Sequence, residues 1–126
     1  MPHLKIKQLQ YEINSWKRFL DYLTEENIQM KNRLSEILKE KFDTYLLEEV
    51  DGFQTRFIRK DHLVEVLRGE VMELDAIPVA EIFKDEKIFK KIKTKIKRLH
   101  KNIINTEKQF SKLKADFHRF LSTNIL

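Results

Sequence analysis

Hydrophobic positions recur at alternating steps of three and four residues in three long stretches, most regularly toward the C-terminus. Phe89, Ile92, Ile96, Leu99, Ile103, Thr106, Phe110, Leu113, Phe117 and Phe120 keep that spacing without a slip. It sets all ten on one stripe of a single long α-helix, the seam that packs against other helices. A first seam runs through Leu9, Ile13, Trp16, Leu20, Leu23, Asn27, Met30, Leu34 and Ile37. A second runs through Leu46, Val50, Phe53, Phe57, Lys60, Val64, Leu67, Val71 and Leu74.

The first two seams are out of phase. Extending the first register reaches Lys41 and Thr44 rather than Leu46, which predicts either a stutter or a turn. A turn near Lys41 to Thr44 is the simpler reading, with Asp43 or Thr44 capping the next helix. Pro78 marks a firmer break, because proline inside a helix loses a hydrogen bond and clashes with the preceding turn. It also pushes Ile77 away from helical angles. Gly52 and Gly69 fall on the outward face of the second helix and are not expected to break it; each costs about 1 kcal/mol relative to alanine.

These signals predict one all-α domain over residues 1–126, with helices at about 4–40, 44–75 and 80–121. At ~1.5 Å rise per residue, each helix would be about 50–60 Å long. Short connections between helices of matched length favour an elongated, coiled-coil-like, up-down-up antiparallel three-helix bundle. The expected core includes Trp16, Leu20, Leu23, Leu34, Phe53, Phe57, Leu67, Ile92, Ile96, Leu99, Ile103, Phe110, Leu113 and Phe117.

Composition agrees with that picture and narrows the chemistry. Charged residues make up 36% and hydrophobic ones 41%, a balance of small cores and large solvated faces. Cysteine is absent, which removes disulfides, thiolate metal sites and a cysteine nucleophile, and is compatible with a reducing cytoplasm. No apolar run approaches the ~20 residues needed to cross a bilayer. The N-terminal Met-Pro-His-Leu-Lys lacks the apolar block of a signal peptide. A soluble cytoplasmic protein is the expectation.

Catalytic and metal signatures are missing. The di-iron bundle pattern needs Glu three residues before His, but Arg59, Lys97 and Ala115 precede His62, His100 and His118. Two glycines 17 positions apart build neither a P-loop nor a dinucleotide fingerprint. Ser15, Ser35, Ser111 and Ser122 lie on regular helix without an elbow-like turn. No enzyme activity, cofactor or metal is expected.

Net charge is +5, and it is uneven. Residues 1–50 come to −1 and residues 51–80 to −2, whereas residues 81–126 carry thirteen Lys/Arg against five Asp/Glu, or +8. The densest run is Lys84, Lys87, Lys90, Lys91, Lys93, Lys95, Lys97, Arg98 and Lys101. Of these, Lys84, Lys87, Lys90, Lys91, Lys97, Arg98 and Lys101 are candidates for binding nucleic acid or an anionic surface by counterion release. The competing reading is a solvated face with interhelical pairing of Lys93 and Lys95, since the charges occupy every non-seam position rather than one stripe. Base-stacking aromatics are missing from the run.

Asn27, Lys60 and Thr106 interrupt the seams. They either fix register between helices, snorkel to solvent, or line an internal ligand site. Apolar residues off the seams, among them Ile6, Phe19, Leu38, Phe42, Tyr45, Leu63, Phe83, Ile88 and Leu121, would be partly buried as flanks. Val66 and Ile104 fall further out and raise the possibility of self-association.

Three segments carry a resemblance. These are Trp16 to Leu34, Glu48 to Phe57 (with Glu49-Val50-Asp51-Gly52-Phe53), and Thr106 to Leu121 (with Phe110, Leu113, Phe117 and His118-Arg119-Phe120-Leu121). Together they resemble a family of short, helical, soluble bacterial proteins without an assigned activity. That resemblance implies a helix break between Ile37 and Leu46 and supplies no catalytic or ligand residues. The expected role is a non-enzymatic protein-interaction or structural module with an unidentified protein partner or a second copy; nucleic acid is the alternative partner.

Overall fold

The computed structural model describes residues 2–40 and 44–125, and all regular structure among them is helical. Helix α1 spans Pro2–Glu40, a single 3-10 turn covers Thr44–Leu46, and α2 spans Leu47–Asp75. A four-residue helix, α3, covers Val79–Ile82, and α4 spans Glu86–Asn124. Among the described residues there are therefore four α-helices rather than the three expected from seam spacing.

Two predicted boundaries are corrected. Helix α2 begins at Leu47, not Thr44: Thr44 opens the 3-10 turn, and Leu46 precedes the helix without any side-chain cap. Lys41, Phe42 and the alternative cap Asp43 lie outside the described residues. The third predicted helix is split, because Phe83–Asp85 leave helical geometry. Asp85 is extended and its carboxylate accepts a hydrogen bond from the Lys87 backbone N–H at 2.9 Å, capping a new helix. The Pro78 break stands as expected: α2 stops at Asp75, and Pro78 sits extended at the head of α3.

The seams are the core. The residues of the three seams are buried except Leu9, Phe53, Lys60, Phe89 and Ile96, which are half-buried. Phe57 and Phe117 meet edge-on at 5.1 Å between ring centres, and Phe53 packs on Phe117 and Phe120 at 5.3 and 5.2 Å. Such pairs add stability beyond the apolar area they bury. Gly52 and Gly69 face open space, as an outward position requires. Ile82 of α3 is buried against the same core, with Ile77 and Phe83 packed beside it.

Ion pairs and polar contacts fix how the helices lie. Between α1 and α2 the partners are Lys17 with Asp75, Arg68 with Asp21 (2.7 Å) and Lys31 with Asp61 (2.5 Å). Their numbers run in opposite senses. The same holds between α2 and α4, where Arg56 meets Asp116 (3.0 Å), Lys60 meets Gln109 (2.6 Å) and Glu73 meets Lys95 (3.6 Å). Between α1 and α4 the numbers rise together: Trp16 with His100 (6.2 Å), then Glu26 with Lys114 (2.6 Å).

Candidate anion-binding surface

Helix α4 carries twelve Lys/Arg against three Asp/Glu. Ile92, Leu99 and Ile103 turn its seam into the core, so the charges must be distributed over the remaining circumference. At 3.6 residues per turn, Lys87, Lys90, Lys91, Lys97, Arg98 and Lys101 fall within an arc of about 120° opposite that seam. All six are exposed. They form one outward stripe about 21 Å long at 1.5 Å per residue. Lys93 and Lys95 of the same run lie outside it beside the seam, so the run as a whole is spread around the helix as expected. Lys84 is exposed in the turn before α4 and does not share the helix.

Pairing within the stripe is sparse. Lys90 lies 3.9 Å from Glu86 on the same exposed face, a contact of little energetic weight. Among the described residues, Lys84, Lys87, Lys91, Lys97, Arg98 and Lys101 make no ion pair. The interhelical pairing anticipated for this region is found at Lys95, which reaches Glu73 of α2. Lys93 has no such partner among the described residues and lies beside Gln8 and Glu12 of α1, lining a hollow.

The same outward arc continues to Lys108, Lys112 and Arg119, all exposed. These were missed because they lie outside the dense run. Their signal was the recurrence of cations at helical spacing behind the last seam positions. Arg119 is 3.9 Å from Asp116, whose other oxygen binds Arg56. From Lys87 to Arg119 the stripe extends about 48 Å at 1.5 Å per residue.

The interrupted seam positions resolve differently from one another. Asn27 is buried; its amide nitrogen donates to the Phe57 carbonyl (2.9 Å) and to Asp61 Oδ1 (2.6 Å). Thr106 is buried and donates to the Asn102 carbonyl of its own helix at 2.7 Å. Lys60 alone opens onto a hollow, donating to Gln109 Oε1. Among the described residues, no three His, Cys, Asp or Glu side chains gather so as to hold a metal ion, and no helix is long and apolar enough to cross a membrane. No family model, curated protein or solved structure matches this chain.

Proposed function

We propose that the protein is a non-enzymatic helical interaction module whose α4 outer face docks on the phosphates of a nucleic acid. In this reading α1, α2 and α4 form an elongated, coiled-coil-like, up-down-up antiparallel bundle, with α3 as a short cap at one end. The observation that carries the reading is the exposed stripe from Lys87 to Lys101, nearly free of carboxylates, continued by Lys108, Lys112 and Arg119. A duplex offers one negative charge per ~1.7 Å of axis with both strands counted, so a row of cations laid along it meets phosphates wherever a strand crosses that face. Without base-stacking aromatics or a groove-entering motif, the recognition is of backbone rather than sequence. A cytoplasmic site of action accompanies this proposal.

A filter-binding titration against mixed RNA and DNA oligonucleotides tests it. With six phosphate contacts, affinity should fall about a thousandfold between 50 and 200 mM salt. Replacing Lys90, Lys91, Lys97 and Arg98 by Gln should weaken binding and lower the salt slope by roughly one unit per lost contact. Absence of binding at low salt would overturn the proposal, and binding only to anionic vesicles would move it to a lipid surface.

A second reading, docking on a protein partner or a second copy, is favoured by large exposed apolar side chains. Tyr45 is 75% exposed, Tyr11 68%, and Met72, Ile58, Val66 and Ile104 are also exposed. Sedimentation equilibrium separates self-association from a monomer.

A further inference from the structure

A second cationic feature lies in the groove between α2 and α4. A hollow of about 310 Å³ is lined by Arg56, Arg59, Lys60 and Lys112, with no carboxylate in its lining. Leu63 and Leu113 supply its apolar floor. Arg56 has a carboxylate partner in Asp116 at 3.0 Å. Among the described residues, Arg59 and Lys112 have none, and Lys60 donates to the neutral amide oxygen of Gln109.

Lys60 is the informative member. It occupies a seam position where an apolar side chain would add to the core, and it is half-buried. Burial, and secondarily the Arg56 guanidinium, hold its ammonium below the ordinary lysine pKa. Lys60 is thus held beside a second cation, Arg56, in a hollow that Arg59 and Lys112 also line, and a bound anion would relieve the repulsion between Lys60 and Arg56. A monocarboxylate would neutralise only one of them. A phosphate group brings up to two charges and several acceptor oxygens suited to guanidinium and ammonium donors. The volume lies at the lower end of the ~300–1,000 Å³ range of small-molecule sites and exceeds what a bare phosphate needs.

We infer that this hollow binds a small organic phosphate, its phosphate held by Arg59, Lys60 and Lys112 and its apolar part resting on Leu63 and Leu113. The site shares Lys112 with the extended α4 stripe, whereas Arg59 and Lys60 belong to α2 and lie outside it. Substitutions at those two positions therefore test the hollow apart from nucleic-acid docking.

The experiment is an amide NMR titration of the full chain with phenyl phosphate and with inorganic phosphate as probes. Saturable shifts should appear at residues 56–63 and 109–113, with phenyl phosphate binding more tightly. Lys60→Met, which suits the seam, should weaken phenyl phosphate at least tenfold, as should the exposed variant Arg59→Gln. The combined Lys90→Gln, Lys91→Gln, Lys97→Gln and Arg98→Gln variant should bind oligonucleotide more weakly but keep its affinity for phenyl phosphate. Shifts spread evenly along the α4 stripe, or binding unchanged by Lys60→Met and Arg59→Gln, would overturn the site. Equal affinity for both probes would overturn the role given to Leu63 and Leu113.

Discussion

Asn27 is 2% exposed in the middle of the α1 seam, and its side-chain oxygen has no hydrogen-bond partner among the described residues. Its nitrogen is well used, bridging to the Phe57 carbonyl and to Asp61, which Lys31 also grips. An unpaired buried carbonyl costs about 1–3 kcal/mol, comparable with what the two donated bonds contribute. Asn27→Leu would remove that cost and add apolar contact, while Asp61 keeps Lys31 and remains partly exposed to water. The variant should therefore be as stable as the native chain or more stable by about 1 kcal/mol, read from the urea midpoint at unchanged slope. A loss of more than that amount would show that the Asn27 bonds outweigh its orphaned oxygen. The polar interruption of the seam was visible in the sequence, but its consequence was not. Asn27 spans two helices and so can specify their register, whereas Thr106 bonds only to its own helix and specifies nothing across the bundle.

At the scale of elements, helix faces were readable because burial follows a period that the residue types display directly. Helix ends were less so. Pro78 announced itself by its ring, whereas the split at residues 83–85 depends on Asp85, an ordinary charged residue within a charged run. Its signal was an acid followed by Glu86 just before the Phe89 seam begins, which is how a helix start reads. Ile82 and Phe83 hid it, because apolar residues there fit a continuing helix as well as a separate cap. Asp85→Ala should cost about 1 kcal/mol through loss of the bond to the Lys87 N–H. Asp85→Asn, which keeps an acceptor oxygen, should recover most of it. The pair of urea midpoints checks this, and equal losses would assign the effect to charge rather than capping.

Over the whole molecule, what the sequence could not convey is which helix meets which at what height. Arg56, Arg59 and Lys60 are neighbours in the chain, yet Lys112 joins their hollow only because α2 and α4 pass each other in opposite senses. The same register joins Glu26 of α1 to Lys114 of α4, and Lys17 of α1 to Asp75 of α2. Those pairs make stability depend on pH in a direction that can be derived. The Lys114 hydrogen bond, with help from Tyr22, lowers the Glu26 pKa, and the Lys17 hydrogen bond lowers that of Asp75. In the acid range the unfolded chain therefore binds more protons than the folded one, so stability rises with pH there. The contribution is complete above the ordinary carboxylate range and is lost as pH falls through the depressed folded values. Lys114 has the opposite shift, raised by Glu26, so its contribution is complete below the ordinary lysine value and is lost as pH rises through the raised one. Thermal melts across pH should show stability falling on the acid side of neutrality, whereas on the alkaline side the raised Lys114 and the depressed Lys60 act in opposite senses. Glu26→Gln keeps an oxygen for Lys114 but cannot titrate. It should lower stability at neutral pH and flatten the acid limb, and an acid limb as steep as the native one would place the linkage elsewhere.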